Sequence, residues 1–256
     1  MLFEEIVYGP IHSRRLGVSL GVNVMPTHGK LCTFDCIYCE CGFNSAMYKP
    51  ILPSREEIRE AMERKLLELL DQHIVPNVIT FSGNGEPTLH PDFEGIIDDT
   101  IELRNRYCRQ AAVTVLSNST QLGRADVVRA LRRCDNRILK LDAADTQLMR
   151  MIDAPVNHDL TSARIEELLA QFDGDFTLQT IFLRGVLPDG RVVDNTKPEY
   201  LSSWYRAVER LHPKQVMIYV IDRKTPVETL EKISSERMEQ IAAPLRDKGF
   251  DVQITV

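Results

Sequence analysis

Hydrophobic and polar positions along the chain change period repeatedly, from two to about three and a half and back. Val18, Leu20, Val22 and Val24 alternate with Ser19, Gly21 and Asn23, which predicts a first strand. Ser54, with Glu57 three residues on, has the form of a capping box. Ile58, Met62, Leu66 and Leu69 then supply the apolar face of a helix. A short strand, Val78 to Phe81, precedes a helix carrying Phe93, Ile96, Ile97 and Ile101. Val113 to Leu116 precedes one carrying Val127, Val128 and Leu131. Ile138 to Leu141 is the next strand, followed by a short helical stretch and a helix through Ile165, Leu168, Leu169 and Phe172. Strands over Phe176 to Leu183 and Val216 to Ile221 flank a helix through Leu201, Trp204, Tyr205 and Val208. A last helix (Met238, Ile241, Leu245) leads into an alternating strand, Phe250 to Val256.

Six strand-then-helix units predict an α/β fold on a parallel sheet, with the terminal strand at an edge. Six are too few for a closed eight-fold barrel. In such folds the residues just after the strands line the ligand face. Here the polar clusters gather at those ends. A cysteine-rich loop follows strand one, Ser82-Gly83-Asn84-Gly85-Glu86-Pro87 strand two, and Ser117-Asn118-Ser119 strand three. Asp142 ends strand four, Gln179 and Thr180 lie in strand five, and Asp222-Arg223 follows strand six. One shared pocket is the expectation. Lys140 alternates with Leu139 and Leu141, so it faces either that pocket or solvent.

The chemistry concentrates in the loop after strand one. Cys32, Cys36 and Cys39 form C-x3-C-x2-C, as Cys32-Thr-Phe-Asp-Cys36-Ile-Tyr38-Cys39. Three thiolates this close can each bind one iron of a cubane cluster and leave one iron open to a small molecule. His28 and Cys41 lie nearby, so a four-ligand zinc site is an alternative, although the paired knuckles usual for structural zinc are missing. Of the six cysteines, Cys108 and Cys134 fall at predicted helix ends and read as small buried residues.

This motif, with an aromatic residue before its third cysteine, resembles the signature of the radical S-adenosylmethionine (SAM) superfamily. The resemblance implies an open partial TIM barrel and one [4Fe–4S] cluster on Cys32, Cys36 and Cys39. It also implies SAM bound at the open iron and cleaved to a 5'-deoxyadenosyl radical that abstracts hydrogen from substrate. Tyr38 would lie near the adenine. Gly85 and Glu86 resemble the motif that holds the amino group of SAM. Ser117 and Asn118 are candidates for its carboxylate or ribose, Asp142 for ribose hydroxyls, and Gln179 is a further candidate contact. An electron donor such as flavodoxin or ferredoxin is implied as a partner.

Within the superfamily, Tyr8-Gly9-Pro10, Ser13-Arg14-Arg15-Leu16-Gly17, Gly85-Glu86-Pro87-Thr88, Leu141-Asp142-Ala143 and Ile221-Asp222-Arg223 resemble the wyosine tRNA-base synthetases. That implies a tRNA base as one substrate class. Those synthetases carry further cysteines for a second cluster, and no second triplet is present here. An activase of a glycyl-radical enzyme is the competing reading, since Thr80 to Pro87 also resembles that group. The order Lys140-Leu141-Asp142 is the reverse of the activases' Asp-x-Lys. A non-catalytic iron–sulfur or zinc protein is the reading from another class.

Bulk properties narrow the setting. A chain of 256 residues, 43% hydrophobic, reads as one domain over residues 1–256 with a cluster-binding loop near 25–45. No apolar run is long enough for a membrane span, and cysteines without an export signal predict the reducing cytoplasm. A net charge of −6 argues against a general nucleic-acid binder. The arginines at 14 and 15 and those between Arg104 and Arg137 are the local basic exceptions.

Overall fold

The computed structural model describes residues 2–13, 17–45 and 50–256. The chain divides into two compact units, Met1–Cys32, Asn44–Ser117 and Gln121–Arg137 in the first, and Thr33–Phe43, Asn118–Thr120 and Ile138–Val256 in the second.

The first unit begins with β1 (Val7–Ser13) and β2 (Gly17–Val22), paired antiparallel. β1 was not expected: Gly9 and Pro10 interrupt its pattern, and its pairing comes from β2 rather than from its own alternation. Helix α1 (Arg55–Asp71) follows, started by the expected capping box. Ser54 accepts from the Glu57 amide, and Glu57 accepts from the Ser54 amide at 2.6 Å. Ile58, Met62, Leu66 and Leu69 are buried on its inner face. β3 (Val78–Phe81) is buried throughout and ends in a short 3-10 turn, Pro87–Leu89. Helix α2 (Phe93–Tyr107), β4 (Ala112–Ser117) and α3 (Ala125–Arg133) complete the unit. Strands β2, β3 and β4 run parallel, so each chain crossing passes through a helix that covers the sheet. Phe81 packs edge-on against Phe93, joining strand to helix. Cys108 and Cys134 cap α2 and α3 and are buried, as expected; burial pushes the Cys134 thiol up to about 12.

The second unit takes in β5 (Asn136–Lys140) from Ile138 onward, then α4 (Thr146–Asp153), α5 (Ser162–Ala170) and β6 (Thr177–Ile181). The single strand expected from Phe176 to Leu183 is two. The Phe182 amide bonds the Tyr219 carbonyl, and the chain then leaves the parallel sheet as β7 (Leu183–Val186). β7 pairs with β8 (Val192–Asp194) and later with β10 (Leu230–Lys232) in a small antiparallel sheet. Between these lie α6 (Pro198–Leu211) and β9 (Gln215–Tyr219); α7 (Ser235–Asp247) and β11 (Val252–Thr255) close the chain. β5, β6, β9 and β11 are parallel neighbours in that order, with β11 at the edge as expected. Phe182 stacks edge-on against Trp204, whose indole N–H donates to Thr180 at 3.0 Å. Counting from β2, the expected six strand-then-helix units are present among the described residues. No helix among those residues is long and apolar enough to cross a membrane.

Candidate functional site

In the first unit the residues after β3 are fixed by backbone geometry. Gly85 has φ +142 and pairs in parallel with Leu31, and a Cβ there would lie 1.8 Å from the Leu31 carbonyl oxygen. Only glycine tolerates both conditions. The Leu31 amide bonds the Asn84 carbonyl, and the Glu86 amide returns to the Leu31 carbonyl. The segment leading into Cys32 is therefore laced to the Gly-Asn-Gly-Glu turn. Asn84 is fully buried. Its side-chain amide donates to the Phe3 and Pro26 carbonyls, which fixes the turn from within. Cys32 is clamped on both sides, since Asn44 accepts from its amide and donates to its carbonyl, each at 3.0 Å.

Glu86 is buried, and one carboxylate oxygen collects three bonds. These come from the Thr88 amide at 3.1 Å, the Thr88 hydroxyl at 2.5 Å and the Ser117 hydroxyl at 2.9 Å. Two of the expected site residues, Glu86 and Ser117, are thus brought together.

In the second unit Cys36, Tyr38 and Asp142 meet around a lysine. Lys140 ends β5, is buried, and sits beside Gln179 in the sheet register. The alternation that left it facing pocket or solvent is decided for the interior. Its ammonium lies 2.7 Å from Asp153, 3.0 Å from Asp142, 2.8 Å from the Tyr38 hydroxyl and 3.0 Å from the Cys36 sulfur. The Tyr38 hydroxyl donates to Asp142 at 2.5 Å. The other Asp142 oxygen accepts from the Ile181 amide at 3.0 Å. Gln179 is buried and donates to the Met217 sulfur at 3.7 Å. Asn118 donates to Thr33 and accepts from Thr120, shaping the turn after β4.

The electrostatics follow from burial. For Lys140, burial alone would favour the neutral amine, but Asp142 and Asp153 outweigh it and hold the ammonium form well above its ordinary range. Burial, reinforced by the Asp142 carboxylate, pushes the Tyr38 phenol up. Burial pushes the Asp153 carboxyl up to about 7, against the pull of Lys140.

Sequence reasoning missed Asp153. An acid at the end of a helix reads as a solvent-facing residue, and only long-range pairing buries it. The Asp35 and Ile37 amides bond the Ala154 and Ile152 carbonyls, and the Val156 amide bonds the Thr33 carbonyl. Residues 33–37 are thus bonded antiparallel along the end of α4 and the residues after it, 152–156. Arg223, expected after the sixth strand, pairs at 2.7 Å with Glu40 in the cysteine loop.

The donor set fits an iron–sulfur cluster in its chemistry. The three motif thiols are outside any disulfide, and the Cys36 sulfur lies 3.0 Å from the Lys140 ammonium. Among the described residues no three His, Cys, Asp or Glu side chains are already gathered as a ligand set. Arg14 and Arg15 lie outside the described residues. In the other basic stretch, Arg104, Arg106, Arg124, Arg129 and Arg133 each face a carboxylate of the same unit.

Known proteins resemble this chain in sequence and in fold. Over 187 residues the chain is 32% identical to a UPF0026 protein of Helicobacter pylori, across 71% of this chain and 57% of that one. The chain spans only 32% to 57% of the length of four of the curated relatives it matches. Among solved structures, SuiB of Streptococcus suis bound to S-adenosylmethionine aligns with TM-score 0.63 at 14% identity, over 89% of this chain and 48% of that one. TYW1 with a lysine-pyruvate adduct bound aligns with TM-score 0.62 at 16% identity, over 90% and 73%. At such identities the likeness is one of fold, and it bears out the α/β class expected from the strand pattern and the partial TIM barrel that the resemblance implied. The sequence model of the radical SAM superfamily matches residues 27–191, more than half of the 256 and inclusive of the cysteine motif, Glu86, Lys140 and Asp142; the chain belongs to that superfamily.

Proposed function

We propose that the chain binds one [4Fe–4S] cluster through Cys32, Cys36 and Cys39 and cleaves SAM reductively, on the way to abstracting a hydrogen atom from a substrate. The observation that carries this reading is the lone C-x3-C-x2-C motif inside the matched superfamily region. When bound, the cluster supplies the electron that splits the sulfonium and an open iron that chelates SAM.

The chain's own residues have distinct tasks in this reading. The Leu31–Gly85 pairing and the Asn44 clamp hold the backbone around Cys32. Glu86 offers a buried carboxylate for the SAM ammonium, and Thr88 and Ser117 orient it. Asp142 and Tyr38 fix each other beside the second cysteine, so their part in SAM binding is to shape the adenosine side of the site. A low-potential one-electron carrier such as flavodoxin or ferredoxin is the reductant this chemistry requires.

Iron and sulfide assay after anaerobic reconstitution tests the first half. About four of each per chain are expected. Cys41→Ala should keep them and Cys36→Ala should lose them. A value near eight, or full retention in Cys36→Ala, overturns the ligand assignment.

For the substrate we infer a tRNA base, supported by the sequence resemblance to the tRNA-modifying branch. The paired arginines of α2 and α3 give this inference no help, and its remaining sequence support is the pair Arg14-Arg15. Phosphate-dominated binding weakens steeply with salt, with a log–log slope set by the number of phosphates neutralised. A filter-binding titration with bulk tRNA should show that slope. No binding at low salt would favour a protein or small-molecule substrate.

A further inference from the structure

Lys140 makes one contact that neutralising buried acids does not require. Two carboxylates, Asp142 and Asp153, already surround its ammonium, yet the Cys36 sulfur lies 3.0 Å from the same nitrogen. Lysine has three N–H donors and no acceptor, so every polar neighbour competes for those hydrogens. The rings of Phe34 and Tyr38 flank the ammonium at 4.9 and 5.1 Å. The sulfur's position is set by backbone rather than by a loose side chain. The Asp35 and Ile37 amides on either side of Cys36 bond to Ala154 and Ile152, on either side of Asp153. Cys36 and Asp153, the latter at the end of α4, are therefore carried on two backbone segments bonded to each other, and Lys140 reaches both.

The Cys36 thiol donates weakly to Asp153 at 3.6 Å. A sulfur bonded to iron carries no proton, so that contact could not persist as a hydrogen bond. Lys140 then becomes the donor common to sulfur and carboxylate. Hydrogen bonds and charges at cluster sulfurs are among the factors that set reduction potential. In a buried setting their effect is stronger than in water.

We propose that Lys140 is a positioning residue that donates to the Cys36 sulfur of the cluster inferred above, on which this proposal rests, and raises the cluster's reduction potential. Asp142 and Asp153 hold the ammonium in place and offset part of its charge. The step affected is the uptake of one electron by the cluster from an external one-electron donor. The donor is oxidised, the cluster gains one negative charge spread partly onto its sulfurs, and no bond to Lys140 forms or breaks. The ammonium stabilises the more negative, reduced form more than the oxidised one. Removing Lys140 must therefore lower the potential, and removing a neighbouring negative charge must raise it.

The test is a dithionite redox titration of the reconstituted full chain, followed by electron paramagnetic resonance of the reduced cluster. At the wild-type midpoint, Lys140→Met should show a reduced-to-oxidised ratio about tenfold lower, equivalent to about 59 mV for a one-electron couple. Asp153→Asn should shift the ratio severalfold the other way. A residue needed only for packing would not give shifts of opposite sign. If Lys140→Met fails to hold the cluster, the double variant Lys140→Met/Asp153→Asn carries the test, and its potential must fall below that of Asp153→Asn alone. Variants with full iron content and the wild-type potential overturn the role of Lys140 while leaving the cluster assignment intact. A wild-type chain that assembles no cluster overturns both.

Discussion

The exposed ion pairs of the first unit and the buried charges around Lys140 use the same contacts to different ends. Arg129 lies 2.6 Å from Glu94 and Arg55 lies 2.7 Å from Asp99. Lys140 lies 2.7 Å from Asp153. The separations match and the surroundings do not: the Arg129 side chain is 60% exposed, that of Lys140 10%, and those of Asp142 and Asp153 0% and 2%. At the surface, water and salt screen each pair and side-chain entropy offsets most of the gain. In the interior, desolvation has already been incurred, so loss of one partner strands the others. Distance alone therefore does not rank these contacts; burial does. Arg104, Arg106, Arg129 and Arg133 of the arginine-rich helices are accordingly neutralised within their own unit, whereas the smaller buried group is where charge reaches the cysteine loop.

The sharpest way to break this contrast is to remove the central cation. Lys140→Ala should cost about 3–5 kcal/mol, because Asp142 and Asp153 are left buried without it. Denaturant unfolding of the cluster-free chain measures this, and a cost no larger than that of a surface pair would erase the distinction. Next in size is a backbone effect in the first unit. Gly85→Ala forces a Cβ against the Leu31 carbonyl at a φ few residues accept, and should cost about 1–3 kcal/mol. It should also weaken cluster retention, since Leu31 leads into Cys32.

Glu86→Ala probes a buried acid whose expected partner is a ligand. Loss of a charge-assisted hydrogen bond costs about 1.5–3 kcal/mol, so SAM affinity should fall about tenfold to a hundredfold. Unchanged affinity in equilibrium dialysis would make Glu86 a turn residue held by Thr88 and Ser117. The smallest effect belongs to the exposed set. The hydrogen-bonded Arg55 guanidinium holds the Asp99 carboxyl below its usual range. Its contribution is then present above the ordinary carboxylate pKa and lost as pH falls through the lowered one. Asp99→Asn should slightly reduce stability at neutral pH and flatten the acid limb of a pH–stability curve. An unaltered acid limb would show that even this half-shielded pair contributes nothing measurable.

How far the sequence disclosed this arrangement depended on whether the signal was local. Val78–Phe81 and the Ser54–Glu57 cap were legible because a strand's run and a helix start are written within a few residues. β1 was not, since Pro10 breaks its pattern and an antiparallel partner supplies its order. β8 and β10, at three residues each, are too short to carry a period. The cysteine triplet, Glu86 and Lys140 could be singled out from spacing and alternation. Asp153 could not, because its burial is decided by residues 33–37 lying along 152–156, a pairing that neither segment announces. Glu86 and Ser117 were separate candidates in the sequence; their shared hydrogen bond is a tertiary fact.

The central claim, that this is a SAM-cleaving member of its superfamily, is tested most directly by incubating the reconstituted, dithionite-reduced chain with SAM and quantifying products by mass spectrometry. The account predicts 5'-deoxyadenosine and methionine in equal amounts, formed slowly without substrate and absent from Cys36→Ala. A wild-type chain that holds a full, reducible cluster and still yields no 5'-deoxyadenosine would contradict it.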